Sequence, residues 1–350
     1  MERSMRKFKG INGLGAVLLA LFLLGIGLTP AKADMLTLRW AHPSAALGME
    51  KEWVGWFGKE LEKRTKGRLK VQIFWGGSLV KITEMAEAVK SGLCDIGWVT
   101  TSYHKGYGDL NGVATAGNLF AVLDCPVELT KRYIKLYEAM PAFYEEYKKK
   151  NMVPFIQRYY DFYWIFSHKP VRGLDDLKGM RIRAVTEMQQ VAYNAIGATP
   201  MFLPAAEIYS ALQKRILDAV GFSPDTANRY KIQEVVKYVT RNKIAPGWAQ
   251  WCMNLSTFNK LSEDDQKVVW QLGKEASIMI ADLMQKERIR LVDVFKKAGL
   301  EILDFPQKDA ERWEAHPEVR AFTEKWVREH EEKGLPAREA LVLFRKLMSE

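Results

Sequence analysis

Two apolar runs of this chain carry arginines where a ligand contact is chemically plausible. In Leu177-Lys178-Gly179-Met180-Arg181-Ile182-Arg183-Ala184-Val185, strand alternation puts Arg181, Arg183 and Val185 on one face and Met180, Ile182 and Ala184 on the other. A solvated strand edge accounts for two arginines on one face, and so does a site that holds an anion. The second run is Arg158-Tyr159-Tyr160-Asp161-Phe162-Tyr163-Trp164, where the same alternation puts Arg158, Tyr160, Phe162 and Trp164 together. A planar guanidinium grips a carboxylate through two parallel hydrogen bonds, and aromatic walls that exclude water strengthen the pair. For Phe162 and Phe166 a place in the core is the simpler reading. Arg158 fits a surface arginine and a ligand contact equally well.

Signatures of catalysis are missing. Gly106-Tyr107-Gly108-Asp109-Leu110-Asn111-Gly112 has the wrong spacing for a dinucleotide loop, and there is no phosphate-binding loop or nucleophile elbow. The five histidines are scattered, His330-Glu331 lacks the second histidine of a zinc protease helix, and no cysteine pair has zinc spacing. No catalytic residue, metal ligand or cofactor site is expected. Cys94, Cys125 and Cys252 exclude a disulfide scaffold. Three buried thiols are the favoured reading, with a Cys94–Cys125 pair as the alternative.

The elements that must position these arginines follow from periodicity. Leu36–Ala41, Leu69–Trp75 and Cys94–Val99 read as strands separated by helices over Met49–Thr65 and Ile82–Ser91. A second series has strands at Phe155–Ser167, Met180–Val185, Pro200–Leu203 and Leu217–Phe222, with helices at Glu187–Ile196 and Ala205–Lys214. Strands alternating with helices imply parallel pairing with covered faces, and two such series imply two lobes. Ser262-Glu263-Asp264-Asp265 starts a helical pattern running to Lys297 that only Gly273 interrupts. Unbroken, it spans about 50 Å and crosses both lobes; two helices broken near Gly273 are the alternative. Ala310–Leu347 is charged and helical.

The N-terminus has a basic segment, an apolar run of roughly Leu14–Leu28, and Thr29-Pro30-Ala31-Lys32-Ala33-Asp34. That is the build of a signal peptide spanning residues 1–33, cut after Ala33, with an apolar run shorter than the roughly 18 residues of a spanning helix. The segment carries five Lys/Arg and one Glu, so removing it lowers the formal charge from +10 to +6. A balance that modest suits small anions and lacks the dense basic patch of nucleic-acid binding. The remaining length implies two domains.

These pieces together resemble the solute-binding proteins of tripartite ATP-independent periplasmic (TRAP) transporters, in their dicarboxylate-type branch, from about Leu36 to Phe344. The resemblance rests on Thr65-Lys66-Gly67-Arg68-Leu69-Lys70-Val71 followed by Gly76-Gly77-Ser78-Leu79, on Glu84 to Asp95, on Asp175 to Arg183, on Gly197-Ala198-Thr199-Pro200, and on Glu207 to Gln213 continuing in register to Asp218. It implies two α/β lobes with two mixed sheets flanked by helices, a helix spanning both lobes and a ligand cleft between them. The lobes would divide as residues 34–155 plus about 245–285, and 156–244 plus about 286–350. It also implies a periplasmic binding protein, not an enzyme, that takes an organic carboxylate to the membrane subunits of a TRAP carrier. The same fold serving a sensory system is the alternative, and a periplasmic enzyme a weaker one. Arg183 falls on the family's carboxylate-gripping arginine. Arg158 or Gln157 falls nearest its second polar position, Phe222 and Ser223 near its third, and Trp248 and Trp251 where an aromatic is often supplied. Tyr160 is a further candidate, from the aromatic run. Arg215 and Ala219 stand where the family often has glycines, and Ser223 where some members carry Asn or an aromatic. Arg183 lies nearer than Arg181 to the carboxyl end of its strand, where ligands of open α/β sheets bind.

Overall fold

The computed structural model describes residues 35–349 except 118–119, 121–122 and 245–247, and Tyr159 without its side chain. The signal-peptide expectation for residues 1–33 lies outside the described residues. Two mixed sheets organise the chain. The first has the order β2-β1-β3-β10-β4, built from β1 (Leu36–Ala41), β2 (Leu69–Phe74), β3 (Ile96–Val99), β4 (Met152–Tyr159) and β10 (Trp248–Asn254). The second has the order β11-β9-β5-β8-β6-β7, from β5 (Tyr163–Ser167), β6 (Arg181–Arg183), β7 (Thr199–Met201), β8 (Ala219–Phe222), β9 (Tyr238–Ile244) and β11 (Glu301–Asp304). The first three strands pair parallel, as their helical crossovers require, and β10 runs antiparallel to both β3 and β4.

One expectation changes in a way that matters for the site. The run Phe155–Ser167 is not one strand. It breaks at residues 160–162, and β4 and β5 join different sheets. The chain therefore passes between sheets there and returns between β9 and β10. A single alternation cannot run across the break, so Arg158 and Tyr160 do not continue the face of Phe162 and Trp164. Phe162 and Phe166 are core residues, at 1% and 0% exposure.

A third connection is the helix Glu263–Lys297, continuous through Gly273. The Ser262 hydroxyl accepts the Asp265 amide N–H, acidic residues fill the first turn, and Lys296 and Lys297 close the last, all favourable to the helix dipole. Its buried Val269, Leu272, Ala276, Ile280 and Met284 pack into the core of the first sheet, and Leu291 and Phe295 into that of the second. Gly273 has a packing reason: a Cβ there would overlap the carbonyl oxygen of Phe155 in β4. At the same contact the Ser277 hydroxyl accepts the Gln157 amide N–H at 2.8 Å. The helix thus covers edge strand β4, where Pro154 can sit because an edge tolerates a missing donor.

The apolar cluster around the second sheet also takes in Leu110, Val113, Leu129, Tyr133 and Phe143 and the C-terminal helices Pro317–Glu331 and Ala337–Ser349. All three cysteines are free; Cys94 and Cys252 are buried and Cys125 is half-buried. The Cys94–Cys125 pair is not made, and Cys125 corrects the reading of three buried thiols.

Candidate ligand-binding site

A cleft opens between the sheets, enclosing about 640 Å³ counting its mouth. Its walls come from loops after β3, from the β4–β5 crossing, and from the carboxyl ends of β6 and β8.

Arg183 ends β6 and lines this cleft while only 3% exposed. Its Nε donates to the Leu203 carbonyl at 2.9 Å and its Nη2 to the Tyr103 hydroxyl at 3.3 Å. The guanidinium carbon stands 4.7 Å from the Phe222 ring centroid. Both hydrogen bonds end on neutral oxygens, and Nη1 is buried with no hydrogen-bond partner among the described residues. Arg181 differs. It is half-exposed and spends its fork on Asp218, with two bonds of 3.0 Å. Two arginines that alternation alone leaves equivalent are thus separated by their surroundings.

Arg158 has a different fate. Glu50, 1% exposed on the helix Gly48–Arg64, accepts from Arg158 Nη1 at 3.0 Å and Nη2 at 2.6 Å. It also accepts from Arg229 Nη1 at 2.9 Å and Trp53 Nε1 at 2.8 Å. His42 Nδ1 accepts the Ser44 amide N–H, which leaves the ring proton on Nε2, 3.4 Å from Glu50. Burial pushes the Glu50 carboxyl up, but Arg158, His42 and Arg229 outweigh it and hold the group well below the usual carboxylate range. Burial lowers the His42 imidazole, keeping it neutral. Arg229 belongs to the short helix Pro224–Arg229 that follows β8, so its bond to Glu50 spans the two sheets.

The remaining walls are aromatic: Trp98, Tyr103, Tyr160, Tyr163, Phe222, Tyr230 and Trp248. Trp248 is stacked on Tyr133 at 3.5 Å between ring centroids, a rigid wall. The Tyr163 phenol is pushed up to about 12 by burial, against the opposing charge of Arg183.

Of the sequence candidates, the structure brings Arg183, Tyr160, Phe222 and Trp248 to the cleft. Ser223 is fully buried just behind it and donates its hydroxyl to Thr226, which lines the wall. Arg158 lies behind Tyr160, 4.7 Å from its ring centroid, and is engaged by Glu50. Gln157, on β4, and Trp251, on β10, are packed within the first sheet and not on the cleft. Gln157 accepts from Gln250, and Trp251 lies against Trp40 and His42. Sequence reasoning missed Arg229, Glu50, Tyr103 and Tyr163. Arg229 had a readable signal: a Ser-Pro helix start at the carboxyl end of a strand, with an arginine near the end of that short helix. Among the described residues no group of three His, Cys, Asp or Glu is placed to hold a metal ion, and no helix is long and apolar enough to cross a membrane.

A two-lobed α/β chain whose cleft offers a buried guanidinium with a donor left unpartnered among the described residues, set between aromatic walls, has the build of a small-molecule binding protein. The chain belongs to the bacterial extracellular solute-binding protein family 7, whose model matches residues 43–325. That is a family of transport binding proteins and not of enzymes, and its members act outside the cytoplasm. The chain is 24% identical over 298 residues to the 2,3-diketo-L-gulonate-binding periplasmic protein YiaO of Escherichia coli K12, covering 83% of this chain and 88% of that one. Among solved structures, a TRAP periplasmic solute-binding protein from Desulfovibrio salexigens is 25% identical with a TM-score of 0.75, covering 90% of this chain and 96% of the other. Another from Rhodoferax ferrireducens, with bound malonate, shares the fold at 23% identity and a TM-score of 0.75, over 89% and 98% of the two chains.

Proposed function

We propose that this protein captures an organic acid in the interlobe cleft and delivers it to the membrane subunits of a TRAP-type carrier, with Arg183 as the carboxylate clamp. The observation that carries the reading is the buried, partnerless Nη1 of Arg183. A buried cation with donor capacity to spare is costly unless an anion completes it. The Leu203 carbonyl and the Tyr103 hydroxyl hold the fork in place before ligand arrives, which lowers the ordering cost of binding. A relative named for diketogulonate and a structural neighbour with bound malonate support the ligand class. Residues 1–33 would be the export signal, cut after Ala33. Tyr160, Phe222 and Trp248 would contact the ligand body, with Ser223 supporting the wall. Arg158, Gln157 and Trp251 would act from behind it.

Ligand contacts made by both lobes favour the closed state, so capture and closure are one equilibrium. Arg183→Ala should weaken binding of the true ligand by about 30- to 1000-fold, the roughly 2–4 kcal/mol of a lost buried charge-assisted contact. Arg181→Ala should leave affinity unchanged. Titration calorimetry on a ligand found by a thermal-shift screen of organic acids decides this. Equal affinity for Arg183→Ala and the parent removes the clamp. Continuing heat release with product formation would overturn a pure binding role.

A further inference from the structure

We infer that the cleft is built for a singly charged carboxylate with a largely apolar body, and that Glu50, together with Asp225, sets that charge by cancelling the two other arginines. This inference rests on the organic-acid reading above and narrows it. Among the described residues, the charged side chains lining the cleft are Arg183 and Arg229. Arg229 is charge-paired, though its Nε is left without a hydrogen bond among the described residues: Nη1 is 2.9 Å from Glu50 Oε1, and Nη2, which donates to the Thr226 hydroxyl at 3.2 Å, is 3.8 Å from Asp225 Oδ2. Arg158, directly behind the wall, gives both terminal nitrogens to Glu50. Formal charges of Arg158 and Arg229 are therefore balanced by Glu50 and Asp225, and Arg183 remains as a single excess cation.

A monoanion on Arg183 neutralises the cleft. A dianion brings a second carboxylate that must either go unpaired in a desolvated site or draw Arg229 away from Glu50, leaving that buried carboxylate short of a partner. The body of the ligand meets Trp98, Tyr160, Tyr163, Phe222 and Trp248, mostly apolar and planar surface. A chain of hydroxyl groups there would give up water for few fixed partners. Glu50 is thus a specificity-determining residue that acts through Arg158 and Arg229.

The test is titration calorimetry with matched acids: phenylacetate against phenylmalonate, benzoate against isophthalate, hexanoate against adipate, and gluconate as a hydroxylated monoanion. In the parent protein the preferred monoanion should bind at least about tenfold more tightly than its dicarboxylate partner and than gluconate. Glu50→Gln frees positive charge and should narrow or reverse the ratio within a pair. Glu50→Gln with Arg158→Gln restores the balance and should bring monoanion preference back, which a purely structural role for Glu50 does not predict. If Glu50→Gln does not fold, the parent's ratios still decide. A parent that prefers dicarboxylates, or gluconate, overturns this inference and leaves organic-acid capture standing. Binding of no acid by the parent overturns organic-acid capture, and this inference with it.

Discussion

At the scale of single residues, the carboxyls of Glu50 and Glu146 are pushed in opposite directions by their neighbours, Glu50 down by its cations and Glu146 up by burial. Arg183 could be singled out by its position at a strand's carboxyl end, and Arg158 by its aromatic neighbours. That Arg158 would meet Glu50, 108 positions away, depends on how the Gly48–Arg64 helix docks on the first sheet. A hint existed: Glu50 shares a helical face with Trp53, Phe57 and Leu61, all buried, and an acid on an apolar stripe needs partners. Glu146 shows the opposite outcome. It accepts the Leu110 amide N–H at 3.0 Å, and burial, reinforced by the charge of Asp109 and only partly offset by that hydrogen bond and Lys149, pushes its carboxyl up to about 7. A folded-state value above the ordinary 4.5 means that the native state holds its proton more tightly than the unfolded chain. Stability from this group is therefore full below about pH 4.5 and lost as pH rises through about 7. Glu146→Gln keeps an acceptor for Leu110 and removes that loss. The variant should match the parent near pH 4.5 and exceed it by about 1–2 kcal/mol at pH 8.5, after allowance for partial solvent contact. Urea unfolding at the two pH values measures this; a difference independent of pH refutes it.

At the scale of elements, most of the fold was legible because its punctuation is local. Gly92 takes positive φ just past the helix read over Ile82–Ser91, and Gly67 does so in the block whose Arg68 forks onto Asp265 at the start of the long helix. Arg215, where the family often has glycine, adopts φ +58°, so the backbone keeps the left-handed turn without the residue that suits it. The misread element was the aromatic run Phe155–Ser167. Continuous β-propensity carries no mark of a change of sheet, and the break at 160–162 follows from which strands lie alongside. Gly273 was ambiguous for a related reason, since a helical glycine signals either a break or a close approach. The structure makes it a close approach to Phe155, so the site has a testable cost. Gly273→Ala gains helix propensity of about 1 kcal/mol, yet must push the helix from β4 and strain the Ser277–Gln157 bond. Net destabilisation of roughly 1–3 kcal/mol is expected, the range for overpacking. Thermal unfolding reads it; a stabilised variant would mean that the contact is looser than described.

At the scale of the whole molecule, two sheets joined by the β4–β5 crossing, the β9–β10 return and one long helix form a pair of lobes whose approach is governed by contacts across the cleft. Few of these need a ligand. Glu50 meets Arg229, the Tyr103 hydroxyl accepts from Arg183 and from the Ala205 amide N–H, and Lys105 meets Glu187 at the rim at 3.4 Å. The last pair is well exposed and stands outside the ligand-lining wall, so it reports on closure alone. Lys105→Glu replaces attraction by repulsion between two rim side chains, an effect of about 0.5–1 kcal/mol on the closed state. Because apparent affinity scales with the fraction of closure-competent protein, Kd should rise about two- to fivefold at low salt, with chemistry in the cleft unchanged. Screening over about 10 Å at 0.1 M salt, and less at higher salt, should bring the two proteins together by 0.5 M NaCl. Calorimetric Kd values across a salt series, with small-angle scattering of the ligand-free protein, check both halves. A weakening that persists at high salt would place Lys105 in the ligand's own contacts, and no weakening at any salt would show that the rim does not steer closure.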